Sequence, residues 1–377
     1  MAYKYGRDDG PVELEIGKIC GRRWKIIDKL GEGGCGSVYK VQDIHTMAKA
    51  ALKAESNFIA GGSVLKLEVQ ILKRLDGRRY VAQLLQAAKK TRYSYMVMTL
   101  FGQSLNTLLR RIHECSVSTQ VRVGINILYG LKQLHEVGYV HRDIKPANLA
   151  VGRRGQETRV IHMLDFGLAR EYVIRSEGTV KMRIPRTGTL FRGTTRYCSA
   201  NAHKRSEQGR PDDLWSMLYV LAEMRGPLPW DRVRGKEEIG KVKEATSDMK
   251  LCRNSPKEIL DIAIHLRSLN YYTRPDYLLI YNKLAAVMSK CHYRYSDPYD
   301  WEKTKYSSHR RHSRRGRRSS ASTTSYSSVD SRNEESLTKE ELKTAIFADE
   351  TPPQSYIWDN DKELFTAADF EINEIGF

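Results

Sequence analysis

The chain has 377 residues, 40% of them hydrophobic, enough for a sizeable core and more than one domain. Lys and Arg outnumber Asp and Glu by 63 to 45, a formal charge of +18, which favours acidic partners such as phosphoproteins or acidic protein tails. No apolar stretch is long enough to enter a membrane as a spanning helix, and Met1-Ala2-Tyr3-Lys4 does not begin a signal peptide; six scattered cysteines without a C-x-x-C pair read as reduced thiols of a cytoplasmic, or also nuclear, protein.

Residues 1–21 read as an N-terminal extension, and between 22 and 101 short strand patterns alternate with one amphipathic helix, the mark of a small, mostly β unit. Gly31-Glu32-Gly33-Gly34-Cys35-Gly36-Ser37-Val38 spells G-x-G-x-x-G-x-V. Gly31, Gly33 and Gly36 let the backbone close over phosphates and present N–H groups with no Cβ in the way. A hairpin turn or a dinucleotide loop could share the pattern, but the latter wants strand, loop and helix. Here 24–30 and 37–42 are both strand-like, so a strand-loop-strand cover fits better. Cys35 at the loop tip is either a tolerated small residue or a thiol near nucleotide, and only a lowered pKa would distinguish them. Ala51-Leu52-Lys53 follows on the next apolar run, from which Lys53 can reach the α- and β-phosphates; Glu68, on the helical pattern 65–72, is its candidate ion-pair partner. Tyr95-Met96-Val97-Met98 is a buried-strand run that ends at a hinge.

Val121, Ile125, Leu128, Leu131 and Leu134 form a helical stripe that leads into His141-Arg142-Asp143-Ile144-Lys145-Pro146-Ala147-Asn148, and then Asp165-Phe166-Gly167. H-R-D-x-K-x-x-N followed by D-F-G is the loop and metal signature of protein kinases. Phosphoryl transfer needs little covalent help; it needs a positioned hydroxyl and neutralised phosphate charge. Asp143 supplies the carboxylate that accepts or orients the substrate hydroxyl, while Asn148 and Asp165 supply oxygen ligands for Mg2+, a hard cation. Further on, Ser255-Pro256-Lys257-Glu258 predicts a helix start, with Ser as N-cap, Pro at the first helical position and Glu three residues after the cap.

The chain resembles the casein kinase I superfamily, and within it the tau–tubulin kinase branch. The resemblance rests on Met163-Leu164-Asp165-Phe166-Gly167-Leu168-Ala169-Arg170, on Phe191-Arg192-Gly193-Thr194-Thr195-Arg196-Tyr197-Cys198-Ser199-Ala200-Asn201-Ala202-His203, on Asp212-Asp213-Leu214-Trp215-Ser216, on Leu228-Pro229-Trp230 and on Ser296-Asp297-Pro298-Tyr299-Asp300-Trp301-Glu302-Lys303. It implies an α+β, two-lobed kinase fold, with a mostly β lobe at 22–101 and a mostly α lobe at 102–303. It also implies transfer of the ATP γ-phosphate to serine or threonine hydroxyls of protein substrates, with acidic or already phosphorylated ones favoured. By the same resemblance Val38 and Ala51 lie against the nucleotide and Met98 guards the back of its pocket. Thr99 and Phe101 offer backbone groups to the adenine edge, and Lys145 contacts the γ-phosphate. Thr194 bonds to Asp143 and Lys145, and a buried Asp213 holds the catalytic-loop backbone.

The resemblance implies that Arg234 lies across from Arg196, so that Arg192, Arg196 and Arg234 are a candidate anion pocket, against the alternative of a solvated basic loop. An anion there could stand in for activation-loop phosphorylation. The chain departs from the family by one extra residue around Gly61-Gly62, in a turn where an insertion costs little. Ala200 and Leu149 also replace the family's usual Ile and Phe. The complete catalytic constellation favours an active enzyme over an inactive kinase-fold scaffold that binds nucleotide and acidic partners.

Beyond Trp301 the composition changes abruptly. Residues 304–335 are Arg/Ser-rich and read as disordered: a nuclear-localisation signal, an acidic-surface or nucleic-acid contact, a self-phosphorylated inhibitory tail, or a solvated linker. The acidic segment 336–377 is expected to be largely disordered as well. Nucleic acid is the weaker partner, since neither aromatic platforms nor a groove-reading helix is evident, and a monomer is favoured.

Overall fold

A computed structural model describes residues 11–33, 36–59, 62–176, 178–302 and 364–377; Cys35, Gly61 and the Arg/Ser-rich segment lie outside them. The expected strand patterns form one antiparallel sheet in the order β1-β2-β3-β4-β6-β5. Its strands are β1 (Ile19–Cys20), β2 (Trp24–Gly33), β3 (Gly36–Asp43), β4 (Lys49–Ser56), β5 (Leu84–Lys89) and β6 (Tyr93–Thr99). Alternation along β2, β3, β4 and β6 drives Trp24, Ile26, Tyr39, Val41, Leu52, Tyr95 and Val97 into one apolar layer. Tyr39 donates its hydroxyl hydrogen to the Val12 carbonyl at 2.7 Å and accepts from the Leu14 N–H at 3.0 Å. Leu14 and Cys20 are buried in the same apolar layer, so the segment before Trp24 packs against the sheet of the small lobe.

The helix of this lobe among the described residues, α1 (Val64–Arg74), is tied to β4 at its first turn. Ser63 caps it by accepting from the Lys66 N–H at 3.1 Å. The buried Glu55 carboxylate accepts from the N–H groups of Val64 and Leu65, each at 3.0 Å, and from the Ser63 hydroxyl at 2.5 Å. Glu55 thereby satisfies two of the donors that a helix N-terminus leaves free and complements its dipole. Just before this cap Gly62 takes a positive φ of 95°.

The large lobe is helical: α2 (Leu105–Leu109), α3 (Val117–Glu136), α4 (Ala200–His203), α5 (Arg210–Glu223), α6 (Lys236–Ala245), α7 (Asp248–Leu251), α8 (Lys257–Arg267) and α9 (Tyr277–Lys290). The stripe expected along α3 is buried, and so are Val123 and Ile127 on its other faces, because α5 and α9 flank it. Ser255 does not cap α8. The helix begins after Pro256 without a side-chain cap, and the Ser255 hydroxyl accepts from Gln120 Nε2 at 2.7 Å, tying α8 to α3. Short strand pairs, β7 (Tyr139–Val140) with β10 (Arg170–Glu171) and β8 (Leu149–Val151) with β9 (Ile161–Met163), frame the loops between the lobes.

The acidic segment is not wholly without order. Residues 364–377, with the short helix α10 (Ala368–Glu371), pack against α3 and α9 of the large lobe and against Tyr80 just before β5, and bury Leu364, Phe365, Phe370 and Ile375. Composition misleads here because the apolar residues fall at intervals of five, with Asp369 and Glu374 each just before one, so one side of the segment is greasy and the acids meet Arg79 and Arg78.

Glu55→Ala removes the acceptor shared by the first turn of α1. A stability loss of about 1–2 kcal/mol is expected, read as a melting temperature lower by a few degrees.

Candidate active site

The catalytic loop hangs from one buried carboxylate. Asp213, on the first turn of α5, accepts from the backbone N–H groups of His141 at 2.7 Å and Arg142 at 2.8 Å, and meets His135 Nε2 at 2.9 Å. Burial resists its ionisation, but the bond from His135 and the two backbone donors outweigh that and hold its carboxyl below the usual range. His135 is kept neutral by burial, so its single N–H belongs on Nε2 facing Asp213, and Nδ1 accepts from the Tyr277 hydroxyl at 2.7 Å. Arg142 adopts a left-handed φ of 67° and donates Nε–H to the Leu168 carbonyl at 2.7 Å, which stitches this loop to the segment after Asp-Phe-Gly.

Asp143 emerges from that scaffold almost fully buried, with both carboxylate oxygens engaged. Lys145 Nζ donates to Oδ2 at 2.7 Å and the Thr194 hydroxyl to Oδ1 at 2.7 Å, while Lys145 also donates to Thr194 at 3.1 Å. Asn148 Nδ2 donates to the Asp143 carbonyl at 2.9 Å and to Oδ2 at 3.2 Å. With the amide nitrogen turned inward, Asn148 Oδ1 is the atom left to face a cation. Thr194 gets this close because Gly193 precedes it. At φ 105°, a Cβ on Gly193 would stand 2.6 Å from the Arg142 carbonyl oxygen.

Across the cleft Lys53 forms a buried ion pair with Glu68, and its Nζ lies 3.3 Å from Asp165 Oδ1. Burial pushes the Glu68 carboxyl up to about 7 against the pull of Lys53, and the Asp165 charge pushes the same way. Burial works against Asp165 as well, but Lys53, His141 and the Gly167 N–H hold its carboxyl below the ordinary value, an ionised oxygen donor suited to a hard divalent cation. Asp165 sits in a left-handed conformation, φ 62°, a local strain of the kind that marks functional turns.

The glycine strand-loop-strand is a hairpin, with Gly31 opposite Val38 and Gly33 opposite Gly36. Only Gly36 among its described glycines is sterically required by the surrounding chain, since a Cβ there would meet the Ala54 carbonyl at 2.1 Å; at Gly31 and Gly33 it would meet open space. Ala51 pairs with Met98 across β4 and β6, so the ceiling and the back wall of the cleft are neighbours. Thr99 gives its N–H to the Gln83 carbonyl at 3.1 Å, and Phe101 lies against His162 with ring centroids 4.6 Å apart.

The three arginines expected to bind an anion are not equivalent. Arg196 is already neutralised, by Glu223 at 2.6 Å and Asp231 at 2.5 Å, and so drops out of that pocket. Arg192 and Arg234 stay exposed, and Lys236, stacked 3.4 Å over the Phe191 ring, joins their two segments. Lys236 was not singled out in the sequence; nor were Glu55, His135 or Tyr277. Glu55 could have been found as the residue that shares a strand face with Lys53, two positions on. The other three carry no local pattern.

A family described as protein kinase domain matches residues 24–283, more than half of the chain. The chain belongs to the protein kinase family. A putative serine/threonine-protein kinase of Caenorhabditis elegans is 50% identical over 301 residues, covering 79% of this chain and 87% of that protein. A putative casein kinase I of the same organism is 30% identical, covering 77% and 86%. A third protein of that organism, named an inactive tau-tubulin kinase, is 38% identical over 63% of this chain and 86% of its own length. Membership brings ATP and a divalent metal with it.

The Glu68 carboxyl lies above its unfolded value of 4.5. Its stabilising contribution is therefore complete only below about 4.5 and is lost as the pH rises through about 7. Relative to Glu68→Gln, whose amide cannot ionise, the unsubstituted protein should lose melting temperature between about pH 5 and about pH 8. A pH-independent difference would contradict the burial effect.

Proposed function

We propose that the protein is an active Ser/Thr protein kinase that transfers the γ-phosphate of ATP, with Mg2+, to serine or threonine hydroxyls of protein substrates. The observation that carries the reading is the convergence of Lys145, Thr194 and Asn148 on the Asp143 carboxylate. Those bonds fix the carboxylate in one orientation before substrate arrives. As the hydroxyl attacks phosphorus, its proton passes to Asp143, the new P–O bond forms and the bond to the leaving ADP oxygen breaks. Lys145 neutralises charge on the transferred group, and Lys53, steadied by Glu68, does so for the α- and β-phosphates. Asn148 Oδ1 and the Asp165 carboxylate are the protein atoms that would hold the metal, which would supply neutralisation of phosphate charge there.

Preference for acidic or phosphorylated substrates is the finer part of the reading. It is supported by the net charge of +18 and by exposed Arg192, Arg234 and Lys236 on the two segments joined at Phe191, two residues before Gly193 and three before Thr194. Scattered thiols and the basic segment 304–335 support a cytoplasmic setting that can extend to the nucleus.

Phosphate transfer to casein and to tubulin separates this reading from that of an inactive scaffold. Asp143→Asn should lower kcat by about 100-fold or more, and Asp165→Asn should abolish metal-dependent transfer. A folded, nucleotide-binding protein without transfer would establish the scaffold instead. Substituting Arg192, Arg234 and Lys236 together by Ala should raise KM for a phosphorylated peptide several-fold more than for its plain counterpart; equal increases would remove the substrate preference.

A further inference from the structure

The C-terminal segment is held as a ligand is held. Phe365 enters an aromatic pocket, with ring centroids 5.0 Å from Tyr129, 5.5 Å from Tyr80 and 5.7 Å from Tyr295. Phe370 stacks on Tyr281 at 4.4 Å and 13°, and Ile375 closes a small cluster with Val140, Tyr172 and Val173. These three apolar anchors stand five residues apart, and Asp369 and Glu374 precede the second and third. Asp369 pairs with Arg79 and Glu374 with Arg78.

The receiving surface also reads the backbone. Glu136, at the end of α3, accepts from the N–H of Glu374 at 2.6 Å and of Ile375 at 3.2 Å. The Tyr281 hydroxyl donates to the Phe365 carbonyl at 3.1 Å, Arg274 to that of Ile372 at 2.9 Å, and Arg210 to that of Phe377 at 2.6 Å. Glu136 keeps Arg274 at 3.3 Å and Lys132 at 3.9 Å as partners of its own, and the buried Arg210 keeps the Tyr272 carbonyl at 3.2 Å, so emptying the groove would leave Glu136 paired and Arg210 with one acceptor.

We propose that this groove is a docking site for acidic-aromatic peptide segments, occupied in cis by residues 364–377 and open to a partner protein that presents the same five-residue spacing. Two observations favour exchange over a permanent seam. Residues 364–377 are part of the same chain and follow Glu302 after 61 intervening positions, so a partner in trans has to compete with a segment already present at one copy per groove. Its two ion pairs are partly exposed, with Arg79 at 41% and Glu374 at 44% side-chain exposure, and are therefore weakened by salt.

The inference goes beyond phosphoryl transfer, and its test reads binding alone. A fluorescent peptide of residues 364–377 is titrated onto the full chain and onto the full-chain double variant Phe365→Ala/Phe370→Ala, by polarisation. The variant should bind the peptide at least ten-fold more tightly than the unsubstituted chain, and adding Arg79→Glu should weaken that binding at least ten-fold. An unlabelled peptide carrying Asp369→Lys and Glu374→Lys should fail to compete. The full-chain variant Asp369→Lys/Glu374→Lys alters only the tail's acids and leaves its aromatic anchors in place; it too should bind added peptide more tightly than the unsubstituted chain. Equal binding by all the chains, or no binding by either opened variant, would overturn the proposal.

Discussion

Everything that faces the cleft from the large lobe depends on a carboxylate that never reaches it. Asp213 is buried and ionised, and such a charge is tolerable only when its lone pairs are filled. Two of its donors are the backbone N–H groups of His141 and Arg142, and the third is a neutral His135 oriented by Tyr277. The acid therefore joins α5, the end of α3, the start of α9 and the catalytic loop at one point. The left-handed Arg142 is tolerable because this bonding over-determines it.

The small lobe has its own version of the same economy. Glu55 and Glu68 are both buried acids that face α1 and β4, one capping the helix and the other reaching Lys53. Because Lys53 and Glu55 lie on one face of β4, the strand positions the helix twice, at its start and at its middle. The Lys53–Glu68 pair is thus less a free-standing salt bridge than the second of two contacts between rigid elements.

The residues that converge in the candidate site were legible because phosphoryl transfer demands particular side chains at fixed spacing within single loops, and Asp143, Lys145, Asn148, Asp165 and Thr194 all fall in such strings. Sequence reading failed where a partner comes from far along the chain. Arg196 was grouped with the candidate anion pocket because its partners Glu223 and Asp231 are distant in sequence, and Ser255 looked like a cap because nothing local reveals Gln120. The order of residues 364–377 within the acidic segment was hidden for a related reason. Its order comes from Tyr80, Tyr129, Tyr281 and two arginines on the body, not from any propensity of its own.

That distance has a consequence for how the chain is made. Arg79 and Asp369 are separated by 290 positions. The groove's last tyrosine, Tyr295, precedes Asp369 by only 74 positions, so at a synthesis rate of about 5–20 residues per second the assembled groove waits roughly 4–15 s before its own ligand exists. The body that receives the segment is complete by then, so the nascent protein passes through a stage with Tyr80, Tyr129 and Tyr281 uncovered beside two arginines. During that interval the cell's chaperones meet a surface that the finished molecule hides.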